Sequence, residues 1–178
     1  MKNSDRALGR LRMALDDLRR CVRSYGLRDY PDSVFRSQLS VENACKAVLS
    51  ILGVEFEKTH FPSHIISENV LSDANTVRRL NLSRRQIELL VTLVAHASPL
   101  EEQRAMPGYG WETEREILPP SEIYREQLAG SLLGNVLRAL GAVCGFFETL
   151  PTLPKELAEL VSKVREEVDN ASKEFGED

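Results

Sequence analysis

Gln38, Glu42 and Lys46 follow one another at intervals of four within a stretch of otherwise apolar and small residues. On an α-helix this spacing stacks an amide, a carboxylate and an ammonium along one face. Glu four residues before Lys is also the favoured direction for an ion pair. Such a polar seam either satisfies itself inside a core or faces a ligand or a partner subunit, and the residues alone leave both readings open. A second constellation is Arg104, Tyr109 and Trp111, in a segment that holds the only tryptophan of the chain. An arginine beside two aromatics and two glycines has the chemistry to stack a base or to anchor a protein partner. The same aromatics could equally pin a loop onto the body of the protein.

Arg12, Arg19 and Arg23 fall within an arc of about 40° on a helix, with Arg20 alongside. Arg78, Arg79, Arg84 and Arg85 bracket a helix start. Both groups have the charge to meet phosphates, and both also fit solvated helix surfaces. The three histidines do not assemble: Pro62 separates His60 from His64, and no Glu stands in an HExxH spacing. A Gly-rich phosphate loop, a GxSxG elbow and a paired-Asp motif are missing too. Catalytic residues, a metal and a cofactor are therefore not expected. The three cysteines, Cys21, Cys45 and Cys144, are far apart and unpaired in pattern, which fits reduced core thiols in a cytoplasmic protein.

Gly130, Gly134, Gly141 and Gly145 form another pattern, falling within an arc of about 60° on one helix. Each glycine inside a helix costs about 1 kcal/mol relative to alanine, so four on one face imply that a backbone approaches closely there. The expected occupant is the same helix of a second subunit or the last helix of this chain.

These residues must be positioned by helices. The chain has 178 residues, is 42% hydrophobic and 28% charged, and carries a formal net charge of −4. That length is enough to bury about 70% of the unfolded surface without a metal or disulfide. Apolar residues recur at steps of three and four from Leu8 to Tyr25 and from Val34 to Leu52. Asp29 is the expected N-cap of the second helix, and Ser83 with Gln86 form a capping box for a third. That third helix presents Ile87, Leu90, Val91 and Val94 and ends near Pro99, with His96 exposed opposite. Residues 54–82 read as a loop with one short helix. After a loop of about twenty residues, a long helix runs from Ser121 to Leu150. Pro154 opens a fifth, carrying Leu157, Leu160, Val161, Val164, Val168 and Phe175. The fold expected is all-α, an antiparallel up-and-down bundle of four to five helices. Residues 1–150 form the bundle and residues 151–178 an additional helix. The polar start of the chain reads as no signal peptide. Asn135, Arg138 and Glu148 argue that residues 128–150 are a core helix rather than a membrane span.

The run from Phe35 to Gly53, with Gln38, Glu42 and Lys46-Ala47 at intervals of four, and then Lys58-Thr-His60, resembles the second helix and following turn of HEPN domains. Arg104 to Tyr109, followed by Pro120 to Tyr124 opening a helix, is similar to the family's Arg-Tyr loop. The resemblance spans about residues 5–150 and implies a dimeric helical bundle associated with a small nucleotidyltransferase. Many family members are ribonucleases with an Arg-x4–6-His motif. This chain has no Arg followed by His at that spacing. The reading is thus a non-catalytic homodimeric module that partners a small nucleotidyltransferase or binds a nucleotide-like ligand near the polar seam. The alternative is an RNA-binding protein or ribonuclease with a non-standard site. No membrane role is expected.

Overall fold

The computed structural model describes residues 2–56 and 58–175. Five long helices carry the fold: α1 (Asn3–Gly26), α2 (Tyr30–Ile51), α5 (Arg84–Glu101), α8 (Glu126–Glu148) and α9 (Lys155–Phe175). The shorter α3 (Pro62–Ile65), α4 (Ala74–Arg79), α6 (Met106–Tyr109) and α7 (Pro120–Ile123) lie in the connections. The all-α class is as expected.

α1 and α2 pack most extensively against each other because small residues line their contact. Ala7, Ala14 and Cys21 recur every seven residues on α1 and are wholly buried; α2 answers with Ser33, Ser37, Ser40, Ala44 and Ala47. The Ser40 hydroxyl donates to the Ala14 carbonyl at 2.7 Å, and the Cys21 thiol lies 3.0 Å from the Ser37 hydroxyl. Burial pushes the thiols of Cys21, Cys45 and Cys144 up, Cys144 to about 12. All three are free.

α8 alone among the described helices is long and apolar enough to cross a membrane. It packs against α2, α5 and α9, with Val136, Leu140, Val143, Phe146 and Phe147 wholly buried. α9 lays Leu157, Leu160, Val161, Val164 and Val168 onto the same core. Phe175 at its end meets Tyr25 edge-on at 5.3 Å.

Both expected caps form: Asp29 accepts from the Asp32 N–H at 3.3 Å, and the Ser83–Gln86 box closes in both directions. Other local expectations need correction. Residues 54–82 hold two helical stretches: α3, continuing as a π-helical turn over Ile66–Leu71, and then α4. The third long helix ends near Pro99 as expected, at Glu101, and carries that proline in its last turn. Its buried face is Leu89, Leu90, Leu93, Ala97 and Leu100, and Val91 is exposed. His96 is half-buried, with Nδ1 2.9 Å from the Asn135 Oδ1 of α8. The stretch expected as one helix from Ser121 breaks at Tyr124, whose backbone is extended between α7 and α8. Burying the Tyr124 ring, with its hydroxyl donating to Gln103 Oε1 at 2.9 Å, takes that residue out of helical geometry. The loop before it also holds a short hairpin, β1 (Trp111–Glu112) against β2 (Ile117–Leu118).

Candidate functional site

The polar seam forms as its spacing requires. The Gln38 Nε2 donates to Glu42 Oε2 at 2.9 Å, and Lys46 Nζ donates to Glu42 Oε1 at 2.5 Å. The Glu42 and Lys46 side chains are each only 8% exposed. A third partner arrives from outside α2: His60 Nδ1 lies 3.2 Å from Glu42 Oε2. Burial alone would raise the Glu42 carboxyl. The hydrogen bond and charge of Lys46, joined by His60, overcome that and hold it below the ordinary carboxylate value.

His60 sits in the irregular segment between α2 and α3, which folds back over the seam. Gly53 permits the reversal, since its φ of +67° lies in the left-handed region. The segment delivers Phe56, Lys58 and Thr59 as well as His60. Together with Arg10 of α1 and Lys46 these line a recess of about 280 Å³. Arg10 and Phe56 also line a larger groove of about 710 Å³, with Asp5, Arg6, Met13 and Glu55 among its other walls. The two cavities therefore share a wall. Arg10 is held by Asn43, whose Oδ1 accepts from Nη1 at 3.0 Å; Asn43 itself is anchored to the Leu39 carbonyl.

The recess is cationic, while the larger groove sets Arg6 and Arg10 against Asp5 and Glu55. Among the described residues Arg6, Arg10 and Lys58 make no ion pair, whereas Arg12, Arg19, Arg84 and Arg85 each meet a glutamate. The arginine face of α1 is partly neutralised by Glu156 and Glu167 of α9, whereas Arg10 and Lys58 face the recess without a carboxylate partner among the described residues. A recess with three cations and a half-exposed imidazole, beside a chamber walled by Phe56 and Met13, has the chemistry to take an anionic group with an apolar or aromatic appendage.

The remaining sequence candidates lie elsewhere. Arg104, Tyr109 and Trp111 belong to the α6–hairpin segment and do not line either cavity. The glycines of α8 divide among several neighbours. A Cβ at Gly130 would meet the Tyr25 hydroxyl at 2.8 Å, one at Gly141 would lie 3.8 Å from Arg165, and one at Gly145 would lie 3.0 Å from Leu89. Only Gly134 faces nothing nearer than Arg138 of its own helix.

Sequence reasoning missed Arg10, Met13 and Phe56. The first two carried a signal: Arg6, Arg10 and Met13 stand at i, i+4 and i+7, one face of α1. Phe56 carried none, because its position depends on where the chain turns after Gly53. Glu101 was missed as well. It is wholly buried and accepts from the Ser63 N–H at 3.0 Å and the Ser63 hydroxyl at 2.5 Å.

The HEPN domain model matches residues 7–112. A protein of Methanocaldococcus jannaschii named "Putative toxin MJ1304" is 30% identical over 119 residues, covering 67% of this chain and 73% of the relative. No solved structure matches. The matched region contains the seam, the recess and the hairpin's first strand. With the all-α fold and the Gln38–Glu42–Lys46 seam in place, this chain belongs to the HEPN domain family.

Proposed function

We propose that this chain is a non-catalytic HEPN module that binds a nucleotide-like ligand in the groove beside the Glu42 seam. It acts as a homodimer and partners a small nucleotidyltransferase. The observation that carries the ligand reading is the recess lined by Arg10, Lys46 and Lys58, which shares Arg10 and Phe56 with the larger groove that Met13 walls. Phosphates would take Arg10, Lys58 and Lys46, the last surrendering part of its pair with Glu42. A base would lie against Phe56. The absent Arg-x4–6-His motif supports the non-catalytic half of the reading.

Calorimetric titration with ATP, AMP and inorganic phosphate tests the ligand. Both nucleotides should bind, and Arg10→Ala and Lys58→Ala should each weaken binding about tenfold or more, about 1.4 kcal/mol. Phe56→Ala should weaken ATP and AMP but not phosphate. The absence of binding by both nucleotides to the folded protein overturns the assignment. Light scattering tests the dimer: Gly134→Leu should yield a folded monomer if α8 packs against its copy.

One observation favours the second reading, a ribonuclease with a non-standard site. His60 is 51% exposed with one ring nitrogen on the buried Glu42, the arrangement that orients a general acid or base. The relative's name includes the word toxin. Labelled RNA cleaved without metal by the parent, and not by His60→Ala, would install this reading in place of the first.

A further inference from the structure

The segment between α5 and α8 is a built arm. Its base is fixed by the buried Tyr124, whose hydroxyl donates to Gln103, and by Pro107, which is buried as well. Gly110 takes φ +74°, and a Cβ there would collide with the Leu118 carbonyl oxygen, so the two strands meet at a position only glycine fits. The tip is pinned by Thr113: its N–H donates to the Glu116 carbonyl at 2.9 Å, and its hydroxyl accepts from the N–H groups of Arg115 and Glu116.

This fixed frame holds large apolar side chains out in water. Tyr109 is 88% exposed, Ile117 68% and Trp111 54%. Trp111 pairs with Leu118 on one side of the hairpin, and Ile117 pairs with Glu112 on the other. Presenting such groups on a pinned hairpin is the opposite of what hydrophobic burial favours, and aromatics of this kind are the usual anchors of protein interfaces. Within the hairpin Glu112, Glu114 and Glu116 stand against one cation, Arg115. None of the four forms an ion pair among the described residues.

We infer that the arm is a docking element for a second, different protein whose surface offers an apolar recess rimmed by lysine and arginine. The unpaired carboxylates supply the argument for that partner. They repel nucleic acid, whose backbone would face three negative charges here, and they attract a basic rim while Tyr109 and Trp111 fill the recess. The arm shares no residue with the walls of the ligand groove named above, so the inference stands whether or not a nucleotide binds there.

The test uses the full chain with a photo-crosslinking phenylalanine analogue in place of Tyr109, irradiated in the cells that naturally make it. The captured protein is identified by mass spectrometry, purified, and titrated against the unlabelled chain. Expected is a distinct protein joined through a Lys/Arg-rich segment. Its affinity should fall about tenfold or more with Trp111→Ala and with Glu112, Glu114 and Glu116 all changed to Lys. It should also weaken as salt rises from about 0.05 to 0.3 M. Both variants lie on an exposed arm and should melt like the parent. Crosslinking only to a second copy of this chain, only to nucleic acid, or to nothing overturns the inference. So does a captured protein whose affinity ignores both variants.

Discussion

Glu101, at the last turn of α5, closes the first turn of α3 by accepting from both the backbone N–H and the hydroxyl of Ser63, at 3.0 and 2.5 Å. Helix starts leave N–H groups without partners, and Phe61, at the N-cap of α3, has no side chain that can accept. A carboxylate from another helix takes the role, so α3 is tied to α5 rather than capped from within.

This clasp sets the first prediction. Glu101→Ala leaves the buried Ser63 N–H unsatisfied and should cost about 1–3 kcal/mol in a denaturant melt. Glu101→Gln keeps an acceptor and should cost less. Burial pushes the Glu101 carboxyl up, partly offset by Ser63, so the folded state takes a proton there more readily than the unfolded. Its contribution is thus greatest below the ordinary carboxylate value and declines as pH rises through the raised one. The Gln variant should compare best with the parent near pH 7 and lose ground by about pH 4. A constant difference across that range would show that Glu101 does not titrate in this way.

The seam gives the second prediction. Lys46→Met strands the Glu42 carboxylate with only Gln38 and His60 as partners and should cost about 3–5 kcal/mol, the range for breaking one side of a buried pair. Glu42 runs opposite to Glu101: its lowered carboxyl contributes stability above the ordinary carboxylate value, lost as pH falls through the depressed one. The Lys46→Met penalty should therefore shrink in acid. A loss below about 1 kcal/mol at neutral pH would mean the pair behaves as if solvated.

What was legible in the sequence follows from periodicity. The long helices, the Asp29 and Ser83 caps and the Gln38–Glu42–Lys46 seam all depend on residues within a turn or two of one another, and spacing reports such relations directly. Glu42's link to His60, Arg10's placement over Lys46 and Glu101's clasp on Ser63 join residues 18, 36 and 38 positions apart along the sequence. The packing of α1 on α2 sets Arg10 beside Lys46, and the course of the chain after Gly53 brings the other two pairs together. The break at Tyr124 escaped notice because helical propensity runs unbroken from Ser121, and the ring's burial overrides it.

The α8 glycines give the third prediction, which separates positions alike in sequence. Gly134→Ala meets only the Arg138 guanidinium of its own helix, at 3.8 Å, and should raise stability by up to about 1 kcal/mol through helix propensity. Gly130→Ala places a methyl 2.8 Å from the Tyr25 hydroxyl, on a ring set edge-on between Tyr30 and Phe175. With little room to yield, it should cost about 1–3 kcal/mol. Thermal melts of the two variants, and of Gly130→Ala with Tyr25→Phe, check this. The double variant should recover much of the loss, and equal effects at both glycines would refute the packing described.

The last prediction concerns α9, which lies beyond the residues matched by the family model. It could be an appendage held by its exposed pairs, Arg19–Glu167 at 3.0 Å and Arg165–Glu148 at 2.9 Å, or a full member of the core. Exposed pairs contribute about 0–1 kcal/mol each, too little to hold a helix of this length. Leu157, by contrast, is buried along with Val161, Val164 and Val168, and truncating a buried leucine costs about 2–5 kcal/mol. Leu157→Ala should therefore lower the stability of the whole protein in one cooperative transition, while Glu167→Ala should barely move it. If α9 were an appendage, Leu157→Ala would loosen the helix alone: amide exchange would rise in α9 while the main transition stayed in place. A single shifted transition, with α9 amides as protected as those of α8, establishes it as part of the core.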